Sequence, residues 1–129
     1  MNKKINRSKK KGFTLIELLV VLGIIGVLAL AVAPTMVSKV SEAKEKTDAS
    51  NAKAIAMAVK TEIIKGKSTI SEELSGTELS NLINKYFDGK IPTPQSESGD
   101  FVVKVDGNNI TVMVGERNFY PNYVESAEE

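Results

Sequence analysis

Apolar residues are concentrated in one long run near the N-terminus. Residues 13–33 hold a single charged side chain, Glu17. At a helical rise of about 1.5 Å per residue this run extends about 32 Å, close to the thickness of a bilayer's hydrocarbon core. Lysines precede the run, so the positive-inside tendency places that side in the cytoplasm. The pattern predicts one membrane-spanning helix.

Downstream of this run the chain becomes polar but still favours helix. One apolar stripe recurs there with helical spacing: Ala52, Ile55, Val59 and Ile63. Pro34 is followed at once by good helix formers, so we expect a kink and not an end. Gly66 is a suitable C-terminal stop. The pattern predicts one helix over residues 14–65, apolar in its first part and amphipathic in its second.

The remaining residues predict a short helix and a small sheet. Ser75 to Glu78 has the form of a capping box, which predicts a helix from about 77 to 86. Turn-forming residues fill 88–100. Alternating apolar positions then predict a hairpin of strands 101–105 and 110–114, and one more short strand near 118–120 before an acidic tail. The expected fold class is α+β, a long N-terminal helix packed on a small antiparallel sheet.

Charge is distributed unevenly although the totals almost balance. The chain has 17 Lys and Arg against 16 Asp and Glu, and residues 1–12 hold six of the basic groups and no acid. The rest carries a formal charge of −5, which argues against nucleic-acid binding if residues 1–12 are removed. There is no Cys and no His, so disulfides are excluded and triad or Cys–His catalysis lacks a partner. We expect no enzyme activity, no cofactor and no metal site.

The residues Lys11-Gly12-Phe13-Thr14-Leu15-Ile16-Glu17, with the apolar run behind them, resemble the prepilin signal of type IV pilins and pseudopilins. The resemblance covers about the first 34 residues and includes Pro34, where this family often has a proline. It implies the type IV pilin fold, cleavage by a prepilin peptidase between Gly12 and Phe13, and methylation of the new Phe13 amine. Physically, Gly12 lacks a Cβ and permits close backbone approach at the junction.

Glu17 is unusual because a carboxylate at the centre of a bilayer costs roughly 2.5–3.5 kcal/mol on insertion scales. The resemblance implies its partner, the Phe13 amine of an adjacent subunit, and one such pair would fix the offset between packed helices. The resemblance also suggests that the helix loosens on assembly, and we place that segment between Gly26 and Pro34.

These inferences divide the chain into a removable basic leader (1–12), a transmembrane and filament-core helix (13–34) and a globular pilin head (35–129). The expected function is that of a structural subunit of a type IV pilus, serving adhesion, twitching motility, aggregation or DNA uptake. Its expected partners are further copies of itself, prepilin peptidase, and the assembly platform with its ATPase. It would lie in the cytoplasmic membrane before assembly and in an extracellular pilus afterwards.

Other readings stay open at this point. The chain could be a pseudopilin of a type II secretion or competence system. It could instead be a membrane-anchored or secreted binding module, and Ala31-Val32-Ala33 does have the form of a signal-peptidase site. Against that cut, Pro34 follows it directly, and a plain signal explains neither Glu17 nor the Gly12–Phe13 junction. The absence of Cys, with many Lys, Ile and Asn, suggests a Gram-positive source.

Overall fold

The computed structural model of the chain describes residues 12–66 and 72–122. The leader apart from Gly12, and the acidic tail from residue 123, lie outside these described residues. The elements in chain order are α1 (Leu15–Ile64), β1 (Glu73–Leu74), α2 (Gly76–Ile83), a 3₁₀ turn (Asn84–Tyr86), β2 (Phe101–Asp106), β3 (Asn109–Val114) and β4 (Arg117–Tyr120). The α+β prediction is confirmed, and the arrangement is consistent with the pilin fold.

Contacts between residues separate the chain into two compact units, 1–37 and 38–129. The described part of the first unit consists of the apolar stretch of α1 and the three residues before it. Its large side chains are exposed, from 46% for Val32 to 92% for Phe13. Within the described residues α1 is the one helix long and apolar enough to span a membrane, with a mean hydropathy of 2.9 in its most apolar window. Pro34 lies inside α1, so the prediction that the helix continues through it is confirmed.

The second unit is built around the amphipathic part of α1. Ala52, Ile55 and Val59 are fully buried, and Ile63 packs against the same core. Residues three or four apart share one face of a helix, which is why this stripe meets the sheet as a continuous surface. The helix ends at Ile64, and Gly66 follows with a φ of 87°, a left-handed conformation that glycine adopts at little cost.

The sheet is antiparallel throughout, with strand order β1-β2-β3-β4. Strands β2 and β3 form the predicted hairpin, in which Phe101 faces Val114 and Val103 faces Val112. Because successive side chains of a strand point to opposite faces, these alternate residues all reach the core. The register of β3 with β4 shifts between Val112 and Met113. The predicted third strand is confirmed as β4.

Two local expectations need correction. Strand β1 was not predicted, and it exists because Glu73 and Leu74 pair with Lys104 and Val103 of β2. Helix α2 forms as expected, but the Ser75 side chain makes no capping hydrogen bond. Gly76 enters this helix with a φ of 51°, far from the helical value that a capping box needs at its first position.

Candidate functional site

The residues singled out in the N-terminal segment lie around the start of α1. Gly12 and Phe13 precede the helix, and Glu17 lies in its first turn. Phe13 is 92% exposed, and a Cβ placed on Gly12 would meet no atom within 4 Å. The Gly12–Phe13 peptide bond is therefore open to solvent and outside the hydrogen-bonded helix, as a protease substrate needs to be. Cleavage and methylation at this junction stay predictions.

Thr14 and Glu17 form a reciprocal capping box at the same place. The Thr14 backbone N–H donates to Glu17 Oε2 at 3.0 Å, and the Glu17 N–H donates to the Thr14 hydroxyl at 3.3 Å. The Leu18 N–H donates to the Thr14 carbonyl at 3.2 Å, so Thr14 is the N-cap of α1. Sequence reasoning missed Thr14, although a Thr followed three residues later by Glu is the recognised signal for this motif.

Gly26 and Pro34 lie within the continuous helix α1. Gly26 has open space around its Cα, and Pro34 supplies no backbone N–H to the helix. Both residues weaken a helix, glycine by up to about 1 kcal/mol relative to alanine. Loosening between them on assembly stays a prediction.

In the second unit a buried carboxylate ties α1 to the 3₁₀ turn. Glu62 is 1% exposed. Its Oε1 accepts a hydrogen bond from the Tyr86 hydroxyl at 2.6 Å and forms an ion pair with Lys85 Nζ at 2.8 Å. Lys65 donates to the Tyr86 oxygen at 2.8 Å. The hydrogen bonds from Lys85 and Tyr86 lower the pKa of Glu62 to about 2. This carboxylate therefore stays ionised over the whole physiological range.

A second buried carboxylate on α1 holds the loop that precedes β2. Asp48 is fully buried and accepts the backbone N–H of Gln95 at 2.9 Å, the N–H of Ser96 at 2.7 Å and the Ser96 hydroxyl at 2.6 Å. This cluster was not found from the sequence. It ties residues 47 positions apart without a disulfide.

Strand β4 is tied to α1 by an ion pair. Arg117 donates to Glu45 at 2.8 Å and to Glu97 at 3.0 Å, and the hydrogen bond to Glu45 raises the pKa of Arg117. Phe119 of β4 is buried in the core. Tyr86 contributes differently, through the polar contacts with Glu62 and Lys65.

Among residues 12–66 and 72–122 no three His, Cys, Asp or Glu side chains are grouped so as to hold a metal ion. The contacts of Glu62, Asp48 and Arg117 all join one element of the second unit to another. Their arrangement serves to brace the unit, and the residues with the more distinctive chemistry are those at the start of α1.

One comparison with known proteins bears on that same segment. Residues 7–33 match the family model described as the prokaryotic N-terminal methylation motif. Over 75 residues the chain is 36% identical to "Prepilin peptidase-dependent protein A" of Clostridium perfringens (strain 13 / Type A). That match covers 58% of this chain and 52% of the relative, so the chain spans about half the length of the curated relative it matches. The relative comes from a Gram-positive Clostridium, which agrees with the source that the amino-acid composition suggests.

No solved structure gives a significant match to the chain. The similarity to known proteins therefore consists of the motif match at residues 7–33 and a match to part of one relative. Both agree with the resemblance found in the sequence. Residues 7–33 of this chain are a prokaryotic N-terminal methylation motif, a signal of the prepilin type.

Proposed function

We propose that this chain is a type IV pilin-like subunit, cut by a prepilin peptidase between Gly12 and Phe13 and assembled into a pilus through α1. The observation that carries the proposal is the match of residues 7–33 to the methylation motif, together with the exposed apolar side chains of α1 from Leu15 onward. The relative's name, a prepilin peptidase-dependent protein, supports the processing step.

The exposed surface of α1 supports assembly. From Leu15 to Leu30 its large apolar side chains are between 48% and 84% exposed. Exposure of apolar surface to water costs about 25 cal/mol of free energy per Å². A helix with this much exposed apolar surface therefore requires lipid or neighbouring helices around it. A helix that first lies in a membrane and then packs against copies of itself satisfies that requirement in both states.

Glu17 supplies specificity in this scheme. We propose that its carboxylate pairs with the methylated Phe13 amine of a neighbouring subunit and so selects one offset between helices. Loosening of the helix between Gly26 and Pro34 would let neighbouring helices pack in a filament. Removal of residues 1–12 would leave the acidic remainder as the mature subunit, for which we expect no direct nucleic-acid binding.

The partners that follow are further subunits, the peptidase, and an assembly platform with its ATPase. The mature subunit would lie in the cytoplasmic membrane first and in an extracellular pilus afterwards, where it would serve adhesion, twitching motility, aggregation or DNA uptake. No catalytic role is proposed for any residue.

The same motif equally favours a second candidate, a pseudopilin of a type II secretion or competence system. The two candidates differ in abundance, because a major pilin dominates sheared surface fibres and a pseudopilin does not. Electron microscopy of sheared fibres, with mass spectrometry of their main subunit, separates them.

The test of the proposal is the mass of the mature chain. Loss of residues 1–12 with the gain of one methyl group is the expected result. Loss of about 30 residues would instead identify an ordinary secretory signal and would refute the filament proposal. The matched control is a strain without prepilin peptidase, in which the full-length precursor should persist.

A further inference from the structure

The face of α1 opposite its buried stripe carries an uncharged seam of residues between Val40 and Ile64. Along this seam the spacing alternates between three and four, and each position holds Ala, Ser, Thr, Val, Met or Ile. Val40 is 53% exposed, Met57 57% and Ile64 76%. They are three of the four large hydrophobic side chains that are exposed in the described part of the second unit. This alternation is the a and d pattern of a helix that packs along another helix.

A row of lysines borders the seam along one side. Lys39, Lys46, Lys53 and Lys60 are exposed, lie seven residues apart, and each stands directly before a member of the seam. Seven residues are about two helical turns and rise about 10.5 Å, so the four side chains lie along one side of α1. In heptad terms they occupy position g, which flanks the contact with a partner helix. Lys39 and Lys46 pair with Glu42, whereas Lys53 and Lys60 form no ion pair within the described residues.

The globular unit itself closes part of the other side of the seam. Ala58 is 5% exposed there. Asn51 is half-buried and lines a surface cleft together with Tyr86 and Gln95. A helix that packs along the seam is therefore accessible to charged contacts mainly on the lysine side.

A second copy of α1 does not suit this face. In a parallel pair of helices each g residue faces the e position of the partner, five residues further along. In this chain those e positions are Lys44, Asn51, Ala58 and Lys65. In an antiparallel pair g faces g, so that lysines would face lysines. Neither arrangement places an acid opposite the row, and like charges at these positions select against pairing.

We propose that the seam and its lysine row form a docking surface for an amphipathic helix of a different protein. That helix carries apolar residues with the same alternating spacing and an Asp or Glu once per heptad on the side that meets the lysines. Its apolar residues cover Val40, Met57 and Ile64, and its carboxylates pair with Lys53 and Lys60. This docking role is additional to the proposed assembly through the apolar part of α1, and its test does not require a filament.

The first experiment measures peptide binding to the mature full-length chain in detergent, by fluorescence anisotropy. Two synthetic helical peptides of about 28 residues share the same apolar a and d residues, and one carries Glu and the other Lys on the side that meets the row. We expect the Glu peptide to bind about tenfold more tightly, because several modest charge pairs add up along the helix. The difference should disappear in about 1 M salt, where the Debye length is about 3 Å. Equal binding of the two peptides at low salt overturns the proposal.

The second experiment reverses the charge of the row. In the double variant Lys53→Glu with Lys60→Glu, the Lys peptide should bind more tightly than the Glu peptide. The matched control, Lys90→Glu with Lys104→Glu, changes two exposed lysines outside α1 and should keep the wild-type preference. Circular dichroism checks that both double variants are folded. A charge-reversed row that still prefers the Glu peptide overturns the proposal.

Two other occupants of the face are tested with the same protein. Light scattering that shows self-association of the mature chain, lost in Met57→Asp, would assign the face to a second copy and overturn the proposal. The acidic tail is the other occupant, and it is tested by replacing Glu125, Glu128 and Glu129 with glutamine. An affinity for the Glu peptide that rises about tenfold in this variant would assign the face to the tail, whereas an unchanged affinity supports a foreign helix.

Discussion

Replacement of Asp48 by alanine should destabilise the globular unit strongly. The Asp48 carboxylate is fully buried and accepts hydrogen bonds from three donors, the backbone N–H groups of Gln95 and Ser96 and the Ser96 hydroxyl. Hydrogen bonds to a charged group contribute about 1.5–3 kcal/mol each. The full sum is not expected, because the donors belong to a partly exposed loop and can regain water, and alanine also removes the cost of burying the charge.

We therefore expect a loss of about 3 kcal/mol in the free energy of unfolding, a large share of the roughly 5–15 kcal/mol typical of a small domain. The assay is urea unfolding of the mature chain in detergent, followed by circular dichroism. Hydrogen exchange at Gln95 and Ser96 reports on the loop directly. Asp100→Ala, at an exposed carboxylate of the same loop, is the matched control and should change stability by less than about 0.5 kcal/mol.

Unfolding of Asp48→Ala at the same urea concentration as the Asp100→Ala control would contradict the bracing role of Asp48. A fall in stability with slow exchange at Gln95 and Ser96 would contradict it too, since the loss would then not come from the loop contacts. The stability of Asp48→Asn should lie between those of Asp48→Ala and Asp100→Ala. Its amide oxygen can still accept one hydrogen bond, but the charge is lost and the NH₂ group faces the loop N–H donors.

Three further outcomes are expected. Gly12→Val should block processing, because a branched side chain at the junction hinders backbone approach, and immunoblots should show the full-length precursor in the membrane; normal cleavage would contradict this. Glu17→Ala should be cleaved and inserted but assemble and be methylated poorly, and normal pili in that strain would refute the register role. In the wild type, the thermal unfolding temperature should fall as the pH drops from about 4.5 toward 2. The pKa of Glu62 is about 2 in the folded chain, against an ordinary value of 4.5. The ionised carboxylate therefore stabilises the fold above pH 4.5, and this stabilisation is lost as the pH falls through that range. In Glu62→Gln the unfolding temperature should fall less over the same pH range. A fall as large as that of the wild type would contradict the role of Glu62.

Local patterns were sufficient for the main elements. Helix α1 follows from the apolar run and from the stripe of Ala52, Ile55 and Val59, and the β2–β3 hairpin follows from alternating residues around a Gly-Asn turn. These patterns succeed because each depends on residues close together in the chain. Thr14 is readable in the same way, because a Thr followed three residues later by Glu is the capping-box signal.

Other features were not readable because they depend on residues far apart. Strand β1 has two residues, too few to show any periodicity, and it is defined by pairing with β2. The capping-box pattern around Ser75 failed for a local reason: the Ser75 side chain makes no capping hydrogen bond, and Gly76 enters the helix with a φ of 51° that the pattern does not specify. In each case the outcome depends on backbone geometry that composition and spacing do not specify.

The sequence alone determined that residues 13–33 are an apolar run with one carboxylate, helical from Leu15, because hydropathy and charge act position by position. It likewise determined the junction at Gly12 and Phe13 as the place where chemistry is expected. Only the tertiary structure decided which polar groups brace the head, joining Asp48 to Ser96 and Glu45 to Arg117 across 48 and 72 positions. A buried carboxylate must find donors wherever folding brings them, and its neighbours in the sequence do not reveal where that will be.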